Sequence, residues 1–301
     1  MRGEARVVPP AEPRSYYGRP VVKAPVWKPE VPFYLFAGGL AGASAPLAFG
    51  AQRAGNDELA RAAWACAMAG LAASPPLLIA DLGRPGRFLN MLRVFKVTSP
   101  MSMGTWLLNA MGAATTMAAA GFLTGRAPRA GRAAAPVAAA LGLPLATYTG
   151  VLLADTAVPV WREARRELPF VFAGSAAASA GAAAALAAGP RAAAPARRLA
   201  VGGAAAELLA GELMERRLGE LAEPYRRGPV APLALGAKAL TAAGAALMAA
   251  RGARGRRPAA AAGGLLLAGS LLERWSVFRA GFASAADPRY TMGPQRERAR
   301  R

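Results

Sequence analysis

The chain has 301 residues, of which 54% are hydrophobic and 18% charged, with a mean hydropathy of +0.25; this balance argues against a water-soluble fold. Histidine is absent, which excludes a bis-histidine haem, a histidine copper or zinc site and any Ser-His-Asp or Cys-His catalytic unit. The one cysteine, Cys66, can neither hold an iron–sulfur cluster nor close an internal disulfide. A net charge of +20 raises the question of nucleic acid, but the basic residues fall between apolar stretches instead of along one helix face. That is the distribution expected of anchoring at a bilayer surface, and no nucleic-acid partner is expected.

Residues 1–31 carry Pro9, Pro10, Pro13, Pro20, Pro25 and Pro29 with scattered charges and no apolar core. They read as an extended arm on the membrane or on a partner, not as a cleavable signal. A membrane-spanning helix needs roughly 20 apolar residues, and eight stretches qualify. Phe33 to Ala51, Ala62 to Ala80, Ser102 to Thr124, Ala133 to Leu153 and Leu168 to Gly189 contain no charge. Leu199 to Met214 carries Glu207 and Glu212, Pro229 to Ala250 carries Lys238, and Pro258 to Phe278 is apolar until Glu273 and Arg274.

The expected fold is therefore an all-α integral membrane protein. Eight transmembrane helices occupy residues 32–280, and a charged tail follows over 281–301. A soluble helical bundle would need a polar stripe at the helical period, and none is evident. Small residues such as Gly38, Gly39, Gly42, Gly202 and Gly203 favour close helix contact, and Pro46, Pro75, Pro76 and Pro144 predict kinks. With an even number of spans both termini share one side. That side holds 22 of the 37 Lys and Arg residues against 12 on the other, which places both termini in the cytoplasm.

The connection between the second and third spans is the longest. After Gly83-Arg84-Pro85-Gly86, the residues Phe88, Leu89, Met91, Leu92 and Phe95 alternate with Arg87, Arg93 and Lys96 at helical spacing. A short interfacial helix is expected here; the alternative is a charged loop anchored to lipid phosphates.

The same stretch, Asp81-Leu82-Gly83-Arg84-Pro85-Gly86-Arg87-Phe88 followed by Thr98-Ser99-Pro100-Met101-Ser102-Met103-Gly104-Thr105-Trp106, resembles the NrfD/polysulfide-reductase membrane-subunit family. Further matches follow in order: Trp27 with 32–39, Tyr148 to Leu153, Pro159-Val160-Trp161, then Arg274, Ala280-Gly281 and Asp287-Pro288. The resemblance implies an eight-helix subunit of a cell-membrane oxidoreductase, inactive alone, that exchanges electrons and protons with a quinone, menaquinone by analogy. It implies a ferredoxin-like iron–sulfur subunit docked near the pocket and a molybdenum-type or multihaem catalytic subunit beyond, as in anaerobic respiration or formate oxidation. A chain without histidine and with one cysteine agrees independently, since it has to borrow its redox centre.

Quinone reduction takes two electrons and two protons, so a pocket needs apolar walls and hydrogen-bond donors. Tyr148, next to Thr149 and Gly150, is the first choice as donor; the alternative is a packed tyrosine bonded to a backbone carbonyl. Asp81 and Arg84 are assigned to the pocket mouth, with Glu30 and Tyr34 at the start of the first span, where family members often have a polar residue or histidine. Arg84, Arg87 and Arg93 are assigned to partner docking, and loop fixation by Asp81 with Arg84 and Arg87 is the plainer reading.

Asp155, Glu207 and Glu212 are candidates for a proton pathway. Carboxylates at membrane depth are costly unless protonated, paired or wet. Lys238 and Arg274 are possible ion-pair partners, so a structural pair between helices is the competing reading. Glu212 and Glu215, three apart, share a helix face. Two other functions compete with electron transfer: a secondary transporter using Glu207, Glu212 and Lys238, and a non-catalytic membrane anchor. The absence of a visible internal repeat weighs against the transporter.

Overall fold

The computed structural model describes residues 20–293, so most of the proline-rich arm and the end of the charged tail lie outside the described residues. The helices run α1 (Glu30–Arg53), α2 (Asp57–Asp81), α3 (Phe88–Met91), α4 (Pro100–Thr124), α5 (Pro128–Ala154), α6 (Pro159–Glu163), α7 (Leu168–Ala187), α8 (Ala194–Leu218), α9 (Glu223–Arg226), α10 (Ala231–Arg251) and α11 (Arg256–Ala286). Among the described residues there is no strand.

Local chemistry sets many of the boundaries. The Asn56 side chain accepts from the Leu59 N–H at the start of α2, and Ser99 accepts from the Ser102 N–H at the start of α4. Proline occupies the first turn of α4, α5, α7, α8 and α10, where its missing N–H costs nothing. Six helices, α1, α2, α4, α5, α7 and α10, are long and apolar enough to cross a membrane. The two remaining long helices, α8 and α11, run 25 and 31 residues but carry several charged side chains.

The eight long helices form two four-helix units that repeat one contact pattern. In each, neighbours in sequence pair as hairpins, the first helix packs on the fourth and the second on the third: α1, α2, α4, α5, then α7, α8, α10, α11. The units meet where α1, α2 and α5 pack on α7 and α1 packs on α11. Because each has an even number of helices, both run the same way through the molecule. No repeat is visible in the amino-acid pattern; it appears in the helix contacts.

Close crossings explain the glycine and alanine content. A Cβ on Gly42 would lie 2.8 Å from the Gly142 carbonyl oxygen, and one on Gly121 would lie 2.7 Å from the Gly131 Cα. Gly174 and Gly203 play the same part between α7 and α8. Lipid supplies no hydrophobic drive for helix association, so contact of this kind is what holds the units together.

The two ends of the bundle differ. Residues 54–56, 125–127, 188–193 and 252–255 make tight connections at one end, whereas 82–99, 155–167 and 219–230 cover the other. At this loop-rich end Trp27 stacks on Trp161 with ring centroids 5.5 Å apart, and the Trp161 Nε1–H donates to the Val277 carbonyl over 2.7 Å. The missing Cβ of Gly281 leaves room for the Trp161 ring. The arm, α6 and α11 are thus tied together, and α11 continues to Ala286, past the expected tail boundary at 281.

The expected interfacial helix is reduced to a 3-10 turn at Pro85–Arg87 and the single turn of α3. The reason lies in α4. The Val94 carbonyl accepts from both Ser102 Oγ and Trp106 Nε1, while the Lys96 N–H donates to Ser102 Oγ. These bonds draw residues 94–96 onto the first turns of α4, where Phe95 meets Trp106 edge-on. Leu89, Val94, Phe95 and Val97 are left exposed.

Candidate functional site

In the first unit two tyrosines converge near the loop-rich end. Tyr34, one turn into α1, is buried, and Tyr148 on α5 is its half-buried neighbour. Tyr148 reaches across to α4. Its hydroxyl donates to the Pro100 carbonyl over 2.6 Å, and its ring fills the notch left by Gly104, where any Cβ would overlap it. The Cα of Gly38 faces Tyr34 and Ser74, but at ordinary contact distance, with room for a Cβ. Of the two readings open for Tyr148, the structure has the packed one, a phenol bonded to a backbone carbonyl.

The other expected pocket residues ring the same end. Glu30 opens α1, and its Oε2 is buried without a partner among the described residues. Asp81 ends α2 and accepts from the Lys28 N–H over 2.8 Å, while Lys28 Nζ donates to the Ala80 carbonyl over 2.9 Å. Asp81 therefore fastens the arm. Among the described residues it makes no ion pair with Arg84 or Arg87, which corrects the expected carboxylate–guanidinium cluster. Arg84, Arg87 and Arg93 are exposed on the loop beside its apolar side chains. Asp155, at the end of α5, is exposed.

The second unit holds a denser set of buried charges. Glu207, Glu215, Lys238, Glu273, Tyr225 and Ser276 are among the residues lining a cavity of about 20 Å³, room for a water molecule. Glu215 is ionically held, with Lys238 Nζ at 2.5 Å and Arg226 Nε at 3.3 Å. Deeper in, Glu207 is 4% exposed, and its Oε2 has no partner among the described residues. Arg274 is 1% exposed; its Nη2 donates to the Phe172 carbonyl over 3.0 Å and its guanidinium lies 3.9 Å from the Phe172 ring centroid. Its Nε and Nη1 find no partner among the described residues. Ser175 and Ser270 share a hydrogen bond of 2.6 Å between α7 and α11.

Glu212 does not join this set. Its side chain is 49% exposed and pairs with Arg216 one turn on. The expectation that Glu212 lines an internal path is corrected, and Glu215 stands there instead. The spacing holds the reason: 207, 211 and 215 stack along one helix face, and Gly211 leaves space between the two glutamates. Glu273 was legible only as the polar end of an apolar run. Tyr225, on the one-turn helix α9, carried no signal. Burial, with Glu273 and Glu215 nearby, pushes its phenol well above the ordinary range, so it stays protonated.

Among the described residues no group of three or more His, Cys, Asp or Glu side chains is arranged to hold a metal ion. None of the curated proteins compared with the chain matches it. The profile of the family described as "Polysulphide reductase, NrfD" matches residues 21–198, which takes in the whole first unit, α7 and the start of α8. With more than half of its length matched and six helices fit to cross a bilayer, the chain is a membrane protein and belongs to the polysulphide reductase NrfD family.

Proposed function

We propose that the protein is the quinone-interacting membrane subunit of a multisubunit oxidoreductase, passing electrons between a quinone of the menaquinone type and a peripheral iron–sulfur subunit. All eight long helices span the cell membrane in this reading. The charged side chains of α8 and α11 turn toward the bundle, pair with each other or lie near one of its two ends, Arg197, Arg198, Arg256 and Arg257 at the end with tight connections.

The observation that carries it is the family match over the unit in which Tyr34, Tyr148, Gly38 and Gly104 converge. These residues fit a quinone. The Gly104 notch, now filled by the Tyr148 ring, would admit a flat ring once Tyr148 turns aside, and the Tyr148 hydroxyl is a donor for its carbonyl oxygen. A bound quinone supplies two-electron, two-proton redox chemistry. Tyr148 releases the Pro100 carbonyl to bind it, Tyr34 backs the ring, and the unpartnered Glu30 oxygen offers a proton relay toward the loop-rich end. Exposed Arg84, Arg87 and Arg93, with Leu89, Val94, Phe95 and Val97, support docking of the iron–sulfur subunit over the pocket. A molybdenum-type or multihaem subunit would lie beyond it.

In the purified complex, Tyr148→Phe should lower quinone-linked turnover by about a hundredfold while leaving artificial-dye activity of the partner subunits intact. Unchanged quinone turnover removes Tyr148 from the pocket. The transporter reading is favoured by one feature, the charged cavity of the second unit. Solute counterflow into vesicles holding the chain without its partners would support it.

A further inference from the structure

The quinone reading makes no use of the second-unit cavity, where the carboxylates outnumber the fully buried cations. Three carboxylates, Glu207, Glu215 and Glu273, line it together with one ammonium, Lys238. Arg274 is the fully buried cation; Lys238 is half-exposed, and Arg226 sits half-exposed at the mouth on Glu215. Glu215 is matched by Lys238 at 2.5 Å. That leaves Glu207 on α8 and Glu273 on α11 with the Arg274 guanidinium as their one fully buried counter-charge, Lys238 lying near Glu273 as well. Helix α7, the remaining wall, brings Ser175 and no ionisable side chain. Glu207 lies eight residues inside Glu215, about 12 Å deeper along α8. An unneutralised carboxylate at that depth is costly.

Two observations point to an occupant. The cavity is large enough for a water, and the Glu207 Oε2 on its wall, in a side chain 4% exposed, has no partner among the described residues. The neighbouring Arg274 Nε and Nη1 are likewise without partners. A water or a transferable proton satisfies these groups, and Glu215, Lys238 and Tyr225 connect the same space to the loop-rich end.

We propose that this cavity is a proton-exchange site, in which Glu207 and Glu273 share one proton that exchanges through a cavity water with the Tyr225 end of the bundle. The proton moves as a unit between a carboxylate oxygen and water; no electron or other group is transferred. The site lies in the second four-helix unit, apart from the tyrosines of the first.

Infrared spectroscopy of the purified full-length chain in lipid nanodiscs tests this without quinone or partner subunits, so its failure leaves the quinone reading standing. At neutral pH the protein should show the carbonyl band of a protonated carboxylic acid, and the band should shift on transfer to D2O. Because a single carboxylate can be neutralised by Arg274, Glu207→Gln and Glu273→Gln should each abolish the shared band. Lys238→Met, which withdraws a cation, should enlarge it. A band that is absent, insensitive to D2O, or unchanged in the variants overturns the proposal, and halving in each single variant overturns the sharing. If one glutamine variant does not fold, the D2O response of the unaltered chain with the other glutamine variant and Lys238→Met decides.

Discussion

The two four-helix units share one topology and use it differently. In the first, the acidic side chains sit at the ends of the bundle: Glu30 opens α1, Asp57 and Glu58 open α2, Asp81 holds the arm, and Asp155 faces outward. Its interior polar side chains are uncharged: the two phenols and hydroxyls such as Ser44, Ser74, Thr115 and Thr149. The second unit carries three carboxylates, an ammonium and a guanidinium between its helices. A neutral phenol can sit beside an apolar ring and trade one hydrogen bond for another at little cost, whereas a buried carboxylate has to be paired or protonated. On the proposed readings, the same scaffold serves ring binding in one half and proton handling in the other.

Substitutions that respect or breach this division should separate in size. The largest effect is expected at Gly104. Gly104→Ala forces the Tyr148 ring out of its notch and should abolish quinone turnover, whereas Gly202→Ala, with open space around its Cα, should leave turnover and thermal stability unchanged. Next comes the hundredfold loss in Tyr148→Phe; an equal loss in Glu212→Ala would erase the distinction between the units.

Lys238→Met breaks the inner ion pair of Glu215 while Arg226 remains, and should cost about 1–3 kcal/mol of stability, read as a lowered thermal midpoint. Glu212→Ala loses only an exposed pair with Arg216 and should cost no more than about 0.5 kcal/mol. Similar costs for the two would mean that α8 is turned differently. Asp81→Ala should free the arm at Lys28, speeding proteolysis at residues 20–29 while sparing the helices.

The sequence carried the helices well, because their ends are marked by local chemistry: Asn56 and Ser99 as caps, prolines in first turns, glycines at close crossings. It carried the facing of those helices poorly. Alanine-rich spans are nearly uniform around their circumference, so nothing in α8 marked its inner face except the eight-residue spacing of Glu207 and Glu215. The span at 199–214 stopped short of Glu215, which drew attention to Glu212 instead. The short interfacial helix failed for a different reason. Its periodicity was real, but Ser102 and Trp106, several residues later, compete for the Val94 carbonyl. Asp81 was expected at the pocket mouth or fixing its own loop; it holds the arm instead, and no local signal could show this, since Lys28 lies 53 residues away in sequence. The repeat of the two units lives in helix contacts and leaves no trace in residue identity.

Labelling with a photoreactive quinone analogue tests the central claim most directly. In membranes holding the intact complex, the label should map to peptides of α1, α4 and α5 around Tyr34, Gly104 and Tyr148, and excess natural quinone should compete it away. Competable labelling confined to α8, α10 and α11 would place the quinone in the other unit and contradict the account.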